Sequence, residues 1–206
     1  SQWVAAAGPS VTVQSTAPTG YEGQLWLDDT DGSMYVYYTD PGGGSSSWIG
    51  AVSRSGGILQ VVSTTKTDTF STASTSYASI TGLSATITPR STSSKILVVL
   101  NLGITDASTA ARYHYRMVRD STAIGVGDAA GSRTQSSISF LPAAATRPTS
   151  QSMSVLDSPS STSSITYSAQ MLCESGTAYV NRMNDDSDLA RTGRAASTIT
   201  LMEVAG

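Results

Sequence analysis

Apolar residues in this chain recur mainly at every second position, in short runs broken by Gly, Pro, Ser and Asp. That period belongs to half-buried strands, and a 3.6-residue period is sustained nowhere. The best helical stretch, Asp106–Ala111, is too short and too polar. The clearest pattern lies between Pro18 and Ala51. Gln24–Leu27 reads as a first strand, and Asp31-Gly32 predicts a two-residue hairpin of type I′, whose central positions both need positive φ. Ser33–Thr39 follows, with Met34, Val36 and Tyr38 on one face and Tyr35 and Tyr37 on the other. Pro41-Gly42-Gly43-Gly44 makes a looser turn, and Ser46–Ala51 closes a three-stranded meander around Trp48.

A meander of about 30 residues buries too little apolar surface to stand alone. It is expected to stack on a neighbouring repeat or on the same segment of another chain. Ser1–Ala6 echoes Ser47–Ala51, with Trp3 and Trp48 standing 45 positions apart. The echo predicts that the sequence opens on the last strand of an earlier unit in a serial array. Gly8–Thr19, with Pro9 and Pro18, reads as a linker, and Ser53–Gly57 as a flexible joint.

From Ile58 the strands become longer and follow every 10 to 14 residues, the rhythm of a sandwich or jelly roll. The pattern predicts Ile58–Thr65, Tyr77–Thr88 with a bulge at Gly82, Ser94–Thr105, Arg112–Arg119, Ala123–Val126 and Thr134–Leu141. Ser150–Leu156, Ser164–Cys173, Ala178–Arg182 and Ser197–Val204 complete it. Lys95–Leu100 is apolar on both faces and predicts a central strand buried between two layers. The expected core includes Ile80, Leu83, Ile87, Ile96, Val98, Leu100, Leu102, Tyr115, Val118, Ile138, Phe140 and Val155. Tyr167, Ala169, Met171, Val180, Ile199 and Leu201 complete that core. Val61, Phe70 and Tyr77 are left for a seam between chains. The fold class is therefore all-β, a small three-stranded meander repeat followed by a jelly-roll-like β-sandwich. Its divisions are 1–19 (repeat remnant and linker), 20–52 (meander), 53–57 (joint) and 58–206 (sandwich).

Charge and chemistry narrow the functions. Only 13% of the 206 residues are charged, the net charge is −3, and no dense basic run exists, which argues against nucleic-acid binding. No apolar run is long enough to span a membrane. Cys173 is the only cysteine and lies in an alternating strand, so it reads as a small buried residue. His114 is the only histidine; alternation puts it on the face of Arg112 and Arg116, an unhelpful setting for a base that must become imidazolium. No serine sits in a Gly-x-Ser-x-Gly elbow. Three Glu and 12 Asp could supply a glycosidase pair, but most of the Asp fall in turns, where they cap their own backbone. Asp28–Gly32 resembles part of a calcium loop, yet Leu27 holds the first ligand position and Tyr38 the bidentate one. Asn184–Asp188 is flanked by Arg182, Arg191 and Arg194, which predicts local charge pairing. Catalysis, cofactors and metals are accordingly not expected.

Several stretches carry a family likeness. Pro18–Trp26 (PTGYEGQLW), Tyr35-Val36-Tyr37-Tyr38 and Ser46-Ser47-Trp48-Ile49 resemble segments of tail-fibre and other structural proteins of marine bacteriophages, cyanophages included. So do Thr86–Lys95 (TITPRSTSSK), Leu156-Asp157-Ser158-Pro159, Tyr179-Val180-Asn181-Arg182 and Ser197–Val204 (STITLMEV). The resemblance implies a homotrimeric virion component, released outside the host on lysis. It would join other virion proteins on its N-terminal side and touch a host surface glycan or protein with its C-terminal domain. Alternatives are a head fibre or capsid-decoration protein, a polysaccharide-degrading tailspike-type enzyme, and a generic extracellular filament subunit. Recognition is expected in the loops Thr105–Arg112, Gly127–Arg133, Pro142–Pro148 and Arg182–Arg194. The candidate residues are Arg112, Tyr113, His114, Arg133, Arg147, Arg182, Asn184, Asp185, Asp186, Arg191 and Arg194.

Overall fold

The computed structural model describes residues 11–42, 45–51, 57–108, 110–141 and 148–206, without the Ile104 side chain. The expected repeat remnant at Ser1–Ala7, the Gly43-Gly44 part of the second turn, Ser53–Gly56 and Pro142–Arg147 lie outside the described residues. The chain divides into two compact units, Ser1–Ser55 and Gly56–Gly206. Every regular element among the described residues is a strand.

The first unit is a four-stranded sheet in the order β1 (Val11–Val13), β2 (Leu25–Leu27), β3 (Met34–Tyr38) and β4 (Ser47–Gly50). The three-stranded expectation is corrected by β1, which lies inside the expected linker. Its Val-Thr-Val alternation lets it pair in parallel beside β2. The expected two-residue turn is corrected as well. Strand pairing ends at Leu27 and Met34, and within the intervening loop only Gly32 has positive φ, at 70°. Asp28 and Asp31 each accept a backbone N–H two residues on, at 2.9 and 2.8 Å, so the carboxylates shape a wider turn.

This sheet has a small core that the sequence reading denied it. Trp26 stacks on Tyr35 with ring centroids 4.7 Å apart, and Trp48 meets Trp26 and Tyr37 edge-on at 5.6 and 5.2 Å. The connection from β1 to β2 crosses over these rings. The Trp26 indole donates to the Gln14 carbonyl at 2.8 Å and the Trp48 indole to the Pro18 carbonyl at 2.9 Å. Gly20 passes so close to the Tyr37 ring that a side chain there would collide with it.

The second unit pairs antiparallel throughout. Its strands are β5 (Ile58–Lys66), β6 (Phe70–Thr72), β7 (Ala78–Ile87), β8 (Lys95–Ala107), β9 (Tyr113–Arg119) and β10 (Thr122–Ile124). They continue with β11 (Ile138–Phe140), β12 (Thr149–Asp157), β13 (Ile165–Cys173), β14 (Ala178–Val180) and β15 (Ser197–Val204). Leu100 is paired with both Met153 and Ile199, and Thr105 with both Thr149 and Val180. Strand β12 therefore holds one edge of β8, while β15 and β14 lie end to end along the other. Beyond them β5 and β6 are likewise end to end. In the facing sheet, Met117 and Tyr115 of β9 pair with β13 on one side and with β10 and β11 on the other. Counting each end-to-end pair as one strand leaves eight. Numbered along the chain, they run 6-3-8-1 in one sheet and 2-7-4-5 in the other, which is the order of a jelly roll.

Between the sheets lies the core, in which all the expected positions are buried or packed against it except Val118, buried outside the main cluster. Tyr113 is part of it, 1% exposed, which corrects its placement in a recognition loop. Phe70, assigned to a seam, packs against the same core from β6, a strand the pattern did not reveal. Tyr77 is engaged too, with the Arg116 guanidinium 3.9 Å over its ring. Lys95–Leu100 is buried on one face only; Leu97 and Val99 are half-buried on the outer side. The bulge expected at Gly82 is present, with φ of 79° and a register shift in the pairing with β13.

Glu203 is a buried carboxylate inside this core. It accepts from Gln60 Nε2 at 2.6 Å and from the Arg90 backbone N–H at 2.7 Å, so it ties β15 to β5 and to the loop after β7. Burial alone pushes its pKa up, but these hydrogen bonds and the Arg90 charge outweigh it and hold the group below its ordinary value. A depressed folded pKa stabilises the fold above the unfolded-state value and stops doing so as pH falls through the folded one. Glu203→Ala is expected to lower urea-unfolding stability at neutral pH by about 2 kcal/mol. The gap to wild type should shrink as pH drops below the ordinary carboxylate range.

Candidate functional site

The strand order sorts the connections between the two ends of the sandwich. Gly57, where the chain enters, accepts from Ala205 N–H at 3.0 Å, and the turns after β7, β9 and β12 lie at this same end. The connections after β6, β8, β11 and β13 leave from the opposite end. There Ser108 N–H donates to Thr177 O at 2.9 Å, Glu174 N–H to Arg112 O at 3.0 Å, and Cys173 N–H to Ser74 O at 2.9 Å. Of the four loops expected to recognise a ligand, the described part of Thr105–Arg112 belongs to this far end, where β11 also ends at Phe140; Pro142–Arg147 of the third lies outside the described residues. Arg182–Arg194 emerges beside it, between β14 and β15. Gly127–Arg133 does not join them, because it loops off the side of β9 between β10 and β11.

The Arg182–Arg194 loop is built from a bulge. Between Leu102 and Thr105, β8 carries one residue more than β12, which moves Thr105 and Ala107 to the core side and turns Asp106 outward. Asp106 is 1% exposed and accepts from Ala107 N–H and Asn184 N–H, both at 2.8 Å. Asn181, in the left-handed region at φ 64°, closes the base of the loop. Its amide donates to Lys66 O at 2.8 Å and Asp68 O at 3.0 Å, and its carbonyl accepts from Ser197 Oγ at 2.6 Å. A side chain at Gly103 would collide with the Ala196 carbonyl, so the loop's return also needs glycine there.

Charge pairing organises the loop, as its sequence predicts. Asp186 lies between Arg182, at 3.1 Å, and Arg194, while Asp185 faces Arg191 at 3.9 Å. The Arg182 guanidinium also lies 4.3 Å over the Tyr179 ring. The hydrogen bond from Arg194 holds the Asp186 carboxyl below its usual range, and the Ser187 hydroxyl and N–H do the same for Asp185. Both stay anionic in neutral solution. A recess of about 200 Å³ opens between Asp186–Leu189 and Thr192–Arg194. Its walls offer hydroxyls, carboxylates and guanidinium, groups suited to a polar ligand such as a saccharide.

The other candidates are placed separately. Arg112 is exposed and faces Glu174 at 3.5 Å; His114 is buried, with Nε2 3.7 Å from the same carboxylate. Arg116 shares that sheet face, as alternation predicts, donating to Gln170 Oε1 at 2.9 Å. Arg133 donates to Ala130 O within its side loop, and Arg147 lies outside the described residues. Asp106 and Asn181 were not among the candidate residues, although Asp106 lies in the expected loop Thr105–Arg112 and Asn181 in the Tyr179–Arg182 segment; neither position by itself signals a buried side chain that holds a loop. Cys173 is buried, and burial raises its thiol pKa. Among the described residues no three His, Cys, Asp or Glu side chains are grouped to hold a metal.

No family model matches the sequence, and no curated relative matches it. Two solved structures of infectious bursal disease virus are similar to it. The Gt-strain structure is 13% identical with a TM-score of 0.37, covering 92% of this chain and 47% of its own. The Gx-strain structure is 13% identical with a TM-score of 0.30, covering 92% and 50%. The chain thus spans about half the length of those chains, and a likeness at these scores carries no argument about function.

Removing the Asp106 carboxylate tests how the loop is held. Asp106→Ala is expected to make trypsin cut after Arg191 or Arg194 at least ten times faster. The rest of the sandwich should stay resistant, as read by the mass of the fragments.

Proposed function

We propose that this protein is a non-enzymatic structural and adhesive component of a virion, the distal part of a bacteriophage tail fibre. Its jelly roll would present the far-end loops to a host-surface glycan or protein, outside the cell. One observation carries the reading: the chain enters the sandwich at one end, while the Arg182–Arg194 loop and the connections after β6, β8 and β13 lie, in their described residues, at or beside the other. A rigid scaffold that holds irregular loops away from its attachment point suits recognition. The resemblance to marine phage fibre proteins supports the same reading. It also supports a homotrimer joined to other virion proteins on the N-terminal side. The pairing of the Asp185 and Asp186 carboxylates with arginines favours binding over hydrolysis, since a glycosidase acid needs a raised pKa.

The test is binding of fluorescently labelled protein to candidate host cells. Arg191→Ala with Arg194→Ala is expected to weaken cell binding at least tenfold and leave the melting temperature within about 2 °C. Unchanged binding by the folded double variant would count against a recognition site in this loop. Strong binding to isolated capsids and none to cells would move the protein to the head, as a decoration protein. Release of reducing sugars from host polysaccharide would make it an enzyme.

A further inference from the structure

The recess in the Arg182–Arg194 loop has walls braced by the loop itself. Thr192 Oγ1 lies 2.5 Å from Ser187 O and 2.7 Å from Leu189 O, so its proton is shared between two carbonyls. Leu189 N–H donates to Ser187 O at 2.8 Å, and Thr192 N–H to Leu189 O at 2.9 Å. Ser187 Oγ donates to Asp185 at 2.6 Å. Both wall hydroxyls thus have their protons committed inside the loop. Two charged groups on the same walls keep unused capacity. Asp188 is exposed and, among the described residues, has no hydrogen bond or ion pair. Arg194 gives Nη1 to Asp186, but its side chain is 54% exposed and its other N–H donors remain open to a ligand. Leu189, beside them, is 44% exposed.

We infer that the recess takes one uncharged sugar unit of a surface glycan, held by Asp188 and Arg194 through neighbouring hydroxyls, with Leu189 against a C–H face of the ring. The inference rests on the recognition reading of the previous subsection and names the class of ligand. Charge decides the class. The loop carries three arginines, 182, 191 and 194, and three aspartates, 185, 186 and 188, so it has no net charge to draw an ion of either sign. Within the recess, an acidic sugar reaching Arg194 would set its carboxylate against Asp186 and Asp188, a like-charge contact that disfavours it. An amino sugar reaching Asp188 would face the Arg194 guanidinium, to which an ammonium has nothing to offer as acceptor. A hydroxyl both donates and accepts, so adjacent hydroxyls satisfy an open carboxylate and open N–H groups side by side. Size sets the number of units. At about 200 Å³ the recess is smaller than the roughly 300–1,000 Å³ of pockets for drug-sized ligands, which suits a single ring at a chain end. The internal bracing of the walls lowers the ordering cost of binding.

The experiment is competition for the binding of labelled full chain to host cells. The competitor is protein-free polysaccharide stripped from those cells and split by ion exchange into uncharged, acidic and basic fractions. The uncharged fraction is expected to displace the protein at a concentration at least tenfold below that needed of either charged fraction. Asp188→Ala should weaken cell binding at least tenfold, and Leu189→Ser should weaken it less. Asp188→Asn, which removes the repulsion but keeps an acceptor, should narrow the gap between the uncharged and acidic fractions. Both positions are exposed, and circular dichroism checks that each variant folds. Displacement best achieved by a charged fraction, or by no fraction, would overturn this inference and leave recognition by the far-end loops standing. So would folded Asp188 variants that bind and discriminate as wild type does. Absence of binding to any host cell would overturn both.

Discussion

Strand β8 is the constraint on which the second unit depends. Its hydrogen bonds are taken on both edges, by β12 on one and by β15 and β14 in succession on the other. A strand committed on both sides fixes its register, and Ile96, Val98, Leu100 and Leu102 then face the core together. The bulge after Leu102 is where that regularity is broken to a purpose. It reverses the alternation for the last residues, brings Ala107 inward and turns Asp106 outward to hold Asn184. One extra residue thus converts the end of a core strand into the foundation of a surface loop.

The broken strands follow the same logic. An eight-stranded jelly roll could be built from eight continuous strands, but here three ladder positions are filled by two strands apiece. The break between β5 and β6 and the long break between β14 and β15 are sewn together by the Asn181 side chain, fully buried. Such a site converts a possible weakness, unpaired backbone in a sheet interior, into a fixed platform. The remaining break, between β10 and β11, lies at a sheet edge, as the β5–β6 break does, and only sheds a side loop.

Strand rhythm and the inward positions were legible in the sequence because alternation is local and the core face is nearly all aliphatic or tyrosine. The Asn184–Asp188 segment was legible for a similar reason: opposite charges within ten residues can pair whatever the surrounding fold. What failed was non-local. Val11–Val13 looks like linker because a three-residue strand has no period to detect, and its partner lies across a crossover. Phe70 looked free because β6 is equally short. Lys95–Leu100 looked two-sided because the sequence cannot say that Leu97 and Val99, half-buried, face away from the core. Tyr113 looked like a surface residue because its neighbours are polar, yet within the predicted strand it points to the core.

The central claim is that recognition lies at the end of the sandwich away from where the chain enters. The most direct measurement is hydroxyl-radical footprinting of the protein bound to host cells, read peptide by peptide against the free protein. The account predicts protection concentrated in 108–112, 174–177 and 182–194, with the turns after β7, β9 and β12 unchanged. Protection of those turns instead, with the far-end loops still open to labelling, would contradict it.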